Sequence, residues 1–160
     1  CSFCYSIEPV EIREDNDLID YFQCSSPTLN DVLVLQNNIT LKLEYPLGVI
    51  KGKKCKAFEG MFYGNNHSIN GIDMKTENME LFKSAGLFCE LRNATIRDLI
   101  IDNTNTFNGS WSGALSCRVS GSLTLVNVQN HAFVTGREIT GGFIGCVESV
   151  QGAALSFGNC

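Results

Sequence analysis

Eight cysteines and four Asn-x-Ser/Thr sequons are the residues of this chain whose types and spacing could do chemistry. Cys1, Cys4, Cys24, Cys55, Cys89, Cys117, Cys146 and Cys160 form an even set, which favours disulfide formation in an oxidising compartment, and all eight are disulfide candidates. Cys1 and Cys4 make a CxxC, a pattern shared by redox sites and zinc half-sites. No second CxxC completes a tetrahedral set, so disulfides to Cys24 or Cys55 are expected instead, with no metal and no cofactor. The sequons lie at Asn38 (NIT), Asn66 (NHS), Asn93 (NAT) and Asn108 (NGS), and agree with N-glycosylation in a eukaryotic secretory pathway.

Three of these sequons occupy one equivalent position, two residues before a strand, at spacings of 28 and 27: Asn38 precedes Thr40, Asn66 precedes Ser68 and Asn93 precedes Thr95. Ser122 breaks the series in the next copy. A corner that prefers Asn because its side chain bonds turn backbone explains the column; a line of glycans is the sharper reading. Sites one turn apart leave little width for neighbouring sugars, so partial occupancy is expected there. Full occupancy is expected at Asn108, in a looser FNGSW excursion.

Acid–base chemistry on a β-scaffold needs carboxylates, or a carboxylate with Lys or Arg, converging from adjacent turns. No such cluster is visible in the sequence. Asp98 shares its column with Gly71, Asn127 and Asn159, which reads as a turn, and His67 and His131 fall in different registers, so no catalytic residue and no enzyme activity is expected.

The elements that must position these groups emerge when the chain is laid on itself. One column aligns Ser68-Ile69-Asn70-Gly71-Ile72, Thr95-Ile96-Arg97-Asp98-Leu99, Thr124-Leu125-Val126-Asn127-Val128 and Ser156-Phe157-Gly158-Asn159-Cys160. Each copy reads hydroxyl, apolar, variable, turn-former, apolar: a strand that bends and continues. A second column aligns Gly86-Leu87-Phe88-Cys89, Gly113-Ala114-Leu115-Ser116-Cys117 and Gly142-Phe143-Ile144-Gly145-Cys146. Alternation puts Leu87, Cys89 and Leu91 inward, opposite Phe88 and Glu90. Cys89, Cys117 and Cys146 then stack one above another. Either two of them form a rung-to-rung bridge, or all three are buried thiols.

Strands recurring about every 28 residues with no helix between them coil so that each turn hydrogen-bonds to the next. The fold class expected is all-β, a parallel β-helix of about five turns. Asp15 to Phe22 has the caps and apolar spacing of a short helix, read as a lid on the first turn, which begins with strands Val32 to Leu35 and Thr40 to Leu43. Residues 1–30 form this disulfide-linked segment and helical cap, and residues 31–160 form the solenoid, in a single domain.

The 160 residues, 44% hydrophobic, suffice for one packed core, and the net charge of −5 disfavours nucleic acid or an anionic membrane as partner. The only basic cluster, Lys51 to Lys56, reads as a solvated loop. No apolar run is long enough to span a membrane. The chain starts at Cys1 without Met or an apolar leader, and is expected to be a mature, secreted product.

The stretches FEGMFYGNNHSINGI, GLFCELRNATIRDLII and the GG-F-I-G of the third copy resemble the GLUG-type repeats of secreted right-handed β-helix proteins. The helix followed by DVLVLQNNITLKL looks like the capped first turn of pectate-lyase-like solenoids. The resemblance implies right-handed coiling and an adhesin or cell-surface context. The paired-Asp, Gly-His-Gly and Arg-x-Lys signatures of polygalacturonases are lacking. The function expected is that of an extracellular structural glycoprotein, a scaffold or a filament-forming subunit that stacks through its β-helix ends. An adhesin-like module with a glycan or surface partner is the alternative, and a polysaccharide lyase or hydrolase the third. The last coil stops at Cys160 part-way through a turn, so continuation of a longer chain or head-to-tail self-association is expected to cover it.

Overall fold

Short apolar stretches broken by Asn, Asp or Gly cannot sustain long strands, but they can turn a corner and pair again one level down. The computed structural model describes residues 8–23, 30–50, 54–76, 79, 83–148 and 152–160 and shows that arrangement, a parallel β-solenoid of about 4 turns with about 29 residues per turn. The largest sheet runs in the order β1 (Val10–Ile12), β2 (Val32–Leu35), β6 (Met61–Tyr63), β11 (Ala94–Arg97), β15 (Leu123–Val126) and β19 (Leu155–Gly158). A second sheet stacks β3 (Ile39–Thr40), β7 (Ser68–Asn70), β12 (Ile100–Ile101) and β16 (Gln129–Asn130). In a third, β8 (Asp73–Lys75) and β9 (Ser84–Ala85) both pair with β13 (Thr106–Gly113), which pairs with β17 (Phe133–Gly141). A fourth stacks β10 (Phe88–Leu91), β14 (Ser116–Ser120) and β18 (Ile144–Glu148). From β6 onward the chain visits the four sheets in a fixed order and returns one strand further along. The hairpin β4 (Val49–Ile50) and β5 (Lys54–Cys55) is the only antiparallel pair among the described residues.

Register confirms most of the first column and corrects one copy. Thr95 lies opposite Thr124, and Thr124 opposite Ser156, as the alignment requires. The partner of Thr95 on the other side is Met61, however, while Ser68 pairs with Ile100 in the second sheet. Residues between β8 and β9 lengthen this turn, and the Ser68 corner has the same apolar spacing as the Thr95 corner, so the two looked equivalent. Asp98, Asn127 and Asn159 do share a corner, all left-handed at φ 52°, 53° and 53°. The Asn127 amide donates to Asp98 Oδ1 at 3.0 Å, holding the Asp98 carboxyl below its usual range, with Arg97 assisting. Short side chains that bond locally tolerate this conformation, which explains their choice here.

The helix α1 (Asp15–Gln23) forms where the sequence placed it. The Asp17 carboxylate accepts from the Arg13 N–H at 2.8 Å and the Glu14 N–H at 3.2 Å, satisfying donors the helix start leaves open. Leu18, Tyr21 and Phe22 face the core, and the Tyr21 hydroxyl donates to Asp31 at 3.0 Å. A finding not foreseen is β1, which precedes the helix and pairs with β2 in the first sheet. Residues assigned to the cap therefore also contribute a strand. The second expected strand of the first turn is shorter than Thr40 to Leu43, spanning Ile39–Thr40.

The interior is an aliphatic ladder with an aromatic layer near the helix. Phe58 stacks on Phe88 at 5.6 Å between ring centres, with Phe62 edge-on to Phe88 and Phe22 tilted over both. Phe88 thus points inward, correcting the face assigned to it. Alternation fails here because Phe88 and Leu91 both enter the core, whereas Cys89 is tied to the exposed hairpin.

The Asn105 side chain is fully buried and bonded through both its amide nitrogen and its oxygen. Asn105 Nδ2 donates to the carbonyls of Ile69 at 2.7 Å and Asp102 at 2.8 Å, and its Oδ1 accepts from the Ile72 N–H at 3.0 Å. It joins two turns at a corner, adding to the backbone bonds from the Asp102 N–H to the Ile69 carbonyl at 3.1 Å and from the Asn105 N–H to the Asp102 carbonyl at 3.2 Å. Truncation by Asn105→Ala leaves the Ile72 N–H without its acceptor and takes one of two donors from each of the Ile69 and Asp102 carbonyls, and is expected to destabilise the fold by about 1–3 kcal/mol. Urea titration of both forms measures this; an unchanged midpoint would mean the corner relaxes to pair internally.

Candidate functional site

Three sets of reactive groups are positioned by this scaffold; the cysteines and sequons are those the sequence indicated, and the remaining set, of charges, is not. The first is a ladder of charges across four successive levels. Phe58 lies opposite Leu91, Glu90 opposite Arg118, and Ser120 opposite Glu148, so Glu59, Arg92, Ser120 and Glu148 line up beside the pair Glu90 and Arg118. Arg92 Nη2 donates to Glu90 Oε1 at 2.8 Å, its Nη1 to Glu59 at 3.1 Å and its Nε to Ser120 Oγ at 3.1 Å. Arg118 Nη2 donates to Glu90 Oε2 at 2.6 Å and its Nη1 pairs with Glu148 at 3.2 Å. The Ser120 hydroxyl also donates to Glu90.

This ladder corrects the expectation that no carboxylates and cations converge from adjacent turns. A signal was present: Glu90 to Arg118 and Arg92 to Ser120 to Glu148 repeat at the turn length. Burial raises the Glu90 pKa, but the Ser120, Arg92 and Arg118 hydrogen bonds outweigh it and hold the carboxyl below its ordinary 4.5. Both carboxylate oxygens are occupied. A group in that state has no proton to give near neutral pH and is a weak base, so its chemistry here is that of a clamp across turns.

The second set is sulfur. Cys55 and Cys89 form a disulfide with Cα atoms 5.8 Å apart, which fixes the β4–β5 hairpin to the wall. Pairing of Cys55 with the N-terminal cysteines is thereby corrected, and Cys1, Cys4 and Cys24 themselves, like Lys51 and Lys53 of the basic cluster, lie outside the described residues. Cys117, Cys146 and Cys160 are free thiols; Cys117 is buried, Cys146 half-buried and Cys160 exposed. Neither version of the three-cysteine column therefore holds. Cys89 and Cys117 are neighbours, but Cys146 lies opposite Arg118, one residue out of line. The cause is a glycine. Gly113 pairs with Gly141, not Gly142, so the copies aligned on Gly142 were shifted by one.

No known family model, characterised protein or solved structure matches this chain. Its chemistry is accordingly read from its own geometry.

The third set is the sequons. Asn38, Asn66 and Asn93 are exposed at corners, but not at one equivalent corner. Asn38 and Asn66 follow strands of the first sheet, whereas Asn93 follows β10 of the fourth. Asn38 Oδ1 accepts from the Ser68 N–H at 2.9 Å and Asn93 Oδ1 from the Ser122 N–H at 3.1 Å, while Ser122 Oγ accepts from the Ala154 N–H at 3.2 Å. Asn38 and Asn93 thus perform the turn-bonding role expected of this column. Asn108 is not in a loose excursion: it is half-buried within β13, between Lys75 and Thr135 of the flanking strands. The reason for expecting full glycosylation there is gone. His67 sits in a turn and His131 bonds Gln129 at 3.3 Å on the other side of the Asp102 level, so the histidines do not stack.

Proposed function

We propose that this chain is a structural scaffold unit of an extracellular glycoprotein of the GLUG-repeat type, lengthened by further parallel strands added to its open turn. The observation carrying this reading is at the last level. Leu155 and Phe157 stand in register with the fully buried Leu123 and Leu125, yet are 42% and 51% exposed. Val147, in register with the fully buried Val119, is exposed too. At the opposite end α1 covers the aromatic layer, so the two ends differ in kind.

An uncovered core and a row of unpaired strand edges attract more strands. The charge ladder supports a structural role, since its groups satisfy one another across turns. Disulfide formation and exposed sequons fit an extracellular setting. The test is light scattering on the 160-residue chain across a range of concentrations. Association that rises with concentration, and is abolished by Phe157→Asp, is the expected result; a monomer at hundreds of micromolar contradicts it.

A further inference from the structure

Three cysteines share one place on the wall. Cys55, Cys89 and Cys117 line a cavity of about 170 Å³ together with Ser84, Trp111 and Arg118. Phe88 lies opposite Ser116 and Glu90 opposite Arg118, which puts Cys89 and Cys117 side by side on adjacent parallel strands. Such strands are about 4.8 Å apart, within the span of Cα separations that a disulfide bridges. The Cys117 thiol donates to the Phe88 carbonyl at 3.5 Å, next to the bonded Cys89. Cys89 therefore has a second competent partner, and its present partner sits on an exposed hairpin.

We propose that these cysteines form an intramolecular disulfide switch, in which Cys117 displaces Cys55 from Cys89 and releases the β4–β5 hairpin. Cys117 gives its thiol proton to water or hydroxide, and the thiolate sulfur forms a bond to Cys89 Sγ. The Cys55–Cys89 bond breaks with its electron pair going to Cys55 Sγ, which leaves as a thiolate and is protonated by water at neutral pH. One disulfide replaces another, so no oxidant is needed. The product carries a rung-to-rung bridge in the wall and a free thiol at the surface, where it can engage another chain.

Burial sets the threshold of this switch. The Cys117 thiol is pushed up to about 12, so the attacking thiolate is scarce at neutral pH and the Cys55–Cys89 form persists. After exchange the thiol is the exposed Cys55, for which the ordinary value is about 8.5. Between these two values the starting form keeps its proton and the product loses one. Raising the pH through that window favours the product by about tenfold per unit, and the forward rate rises by a similar factor.

The experiment is to incubate the full chain without reductant at pH 7.5 and pH 9.5, quench with acid, alkylate free thiols and map the linked tryptic peptides. The expected result is a Cys89–Cys117 peptide together with alkylated Cys55, appearing about a hundredfold faster at the higher pH. Cys117→Ser should keep Cys55 paired at both. Persistence of Cys55–Cys89 alone at pH 9.5 overturns the proposal, as does equal release of Cys55 in Cys117→Ser. Should that variant not fold, the Cys89–Cys117 peptide in the wild type decides by itself.

Discussion

Phe88→Ala is expected to destabilise the protein by about 3–5 kcal/mol, a large share of what a domain of this size has to lose. Phe88 is fully buried and touches three other rings, with Phe58 stacked on it, Phe62 edge-on and Phe22 reaching down from the helix. Its removal leaves a cavity bounded by strands from successive turns and by α1. The turns cannot close around it without breaking their ladders, so little relaxation is available. Phe157→Ala removes the same side chain from a half-exposed position and should change stability by no more than about 0.5 kcal/mol. Urea denaturation of both variants measures the difference. Equal effects would place Phe88 outside the core, as simple alternation had it.

The second large effect is expected at Glu90. Glu90→Ala leaves Arg92 and Arg118 facing each other across adjacent turns and removes the acceptor of the Ser120 hydroxyl proton. Breaking a buried ion pair from one side typically costs about 3–5 kcal/mol, and because both arginines are part-exposed we expect about 2–3 here. The same network makes stability depend on pH. The folded-state pKa of Glu90 lies below its ordinary value, so this contribution is complete above about 4.5 and is lost as pH falls through the lower folded value. Glu90→Gln should therefore differ most from wild type at neutral pH and converge on it in acid. Denaturation midpoints at pH 7 and pH 3.5 show whether the gap closes; a gap that widens in acid would contradict the ionised assignment.

What was legible in the sequence was local chemistry repeated at a fixed interval. The Thr95, Thr124 and Ser156 strands, the Asp98, Asn127 and Asn159 corner and the helix from Asp15 each announce themselves within a few residues. Register over long distance was harder. Ser68 and Thr95 begin chemically similar corners on different sheets, and only strand pairing separates them. Gly141 and Gly142 are equivalent in composition, but choosing the wrong one moved Cys146 out of its true column, because a one-residue slip changes every facing. A glycine is required at such corners by proximity: a Cβ on Gly86 would lie 2.6 Å from the Gly113 carbonyl oxygen.

The charged ladder was missed for a related reason. Glu90, Arg92, Arg118 and Glu148 recur at the turn length and complement one another, but which of them adjoin depends on the register of the turns, which residue types alone do not show. Charges in a solenoid are read best down the stack. Cys89 had a partner that no column predicts, since the hairpin carrying Cys55 interrupts the repeat and folds back over the wall.

Residue-resolved amide hydrogen exchange tests the central claim, a stack of parallel turns that takes further strands at β19. In a parallel ladder alternate N–H groups of a strand point to opposite neighbours. In β15, which has a strand on each side, all amides should exchange slowly. In β19, paired only with β15, every second amide should exchange fast in dilute protein and become slow as concentration is raised. Fast exchange at alternate β15 amides would contradict the stack, and alternate β19 amides that stay fast at every concentration would contradict its extension.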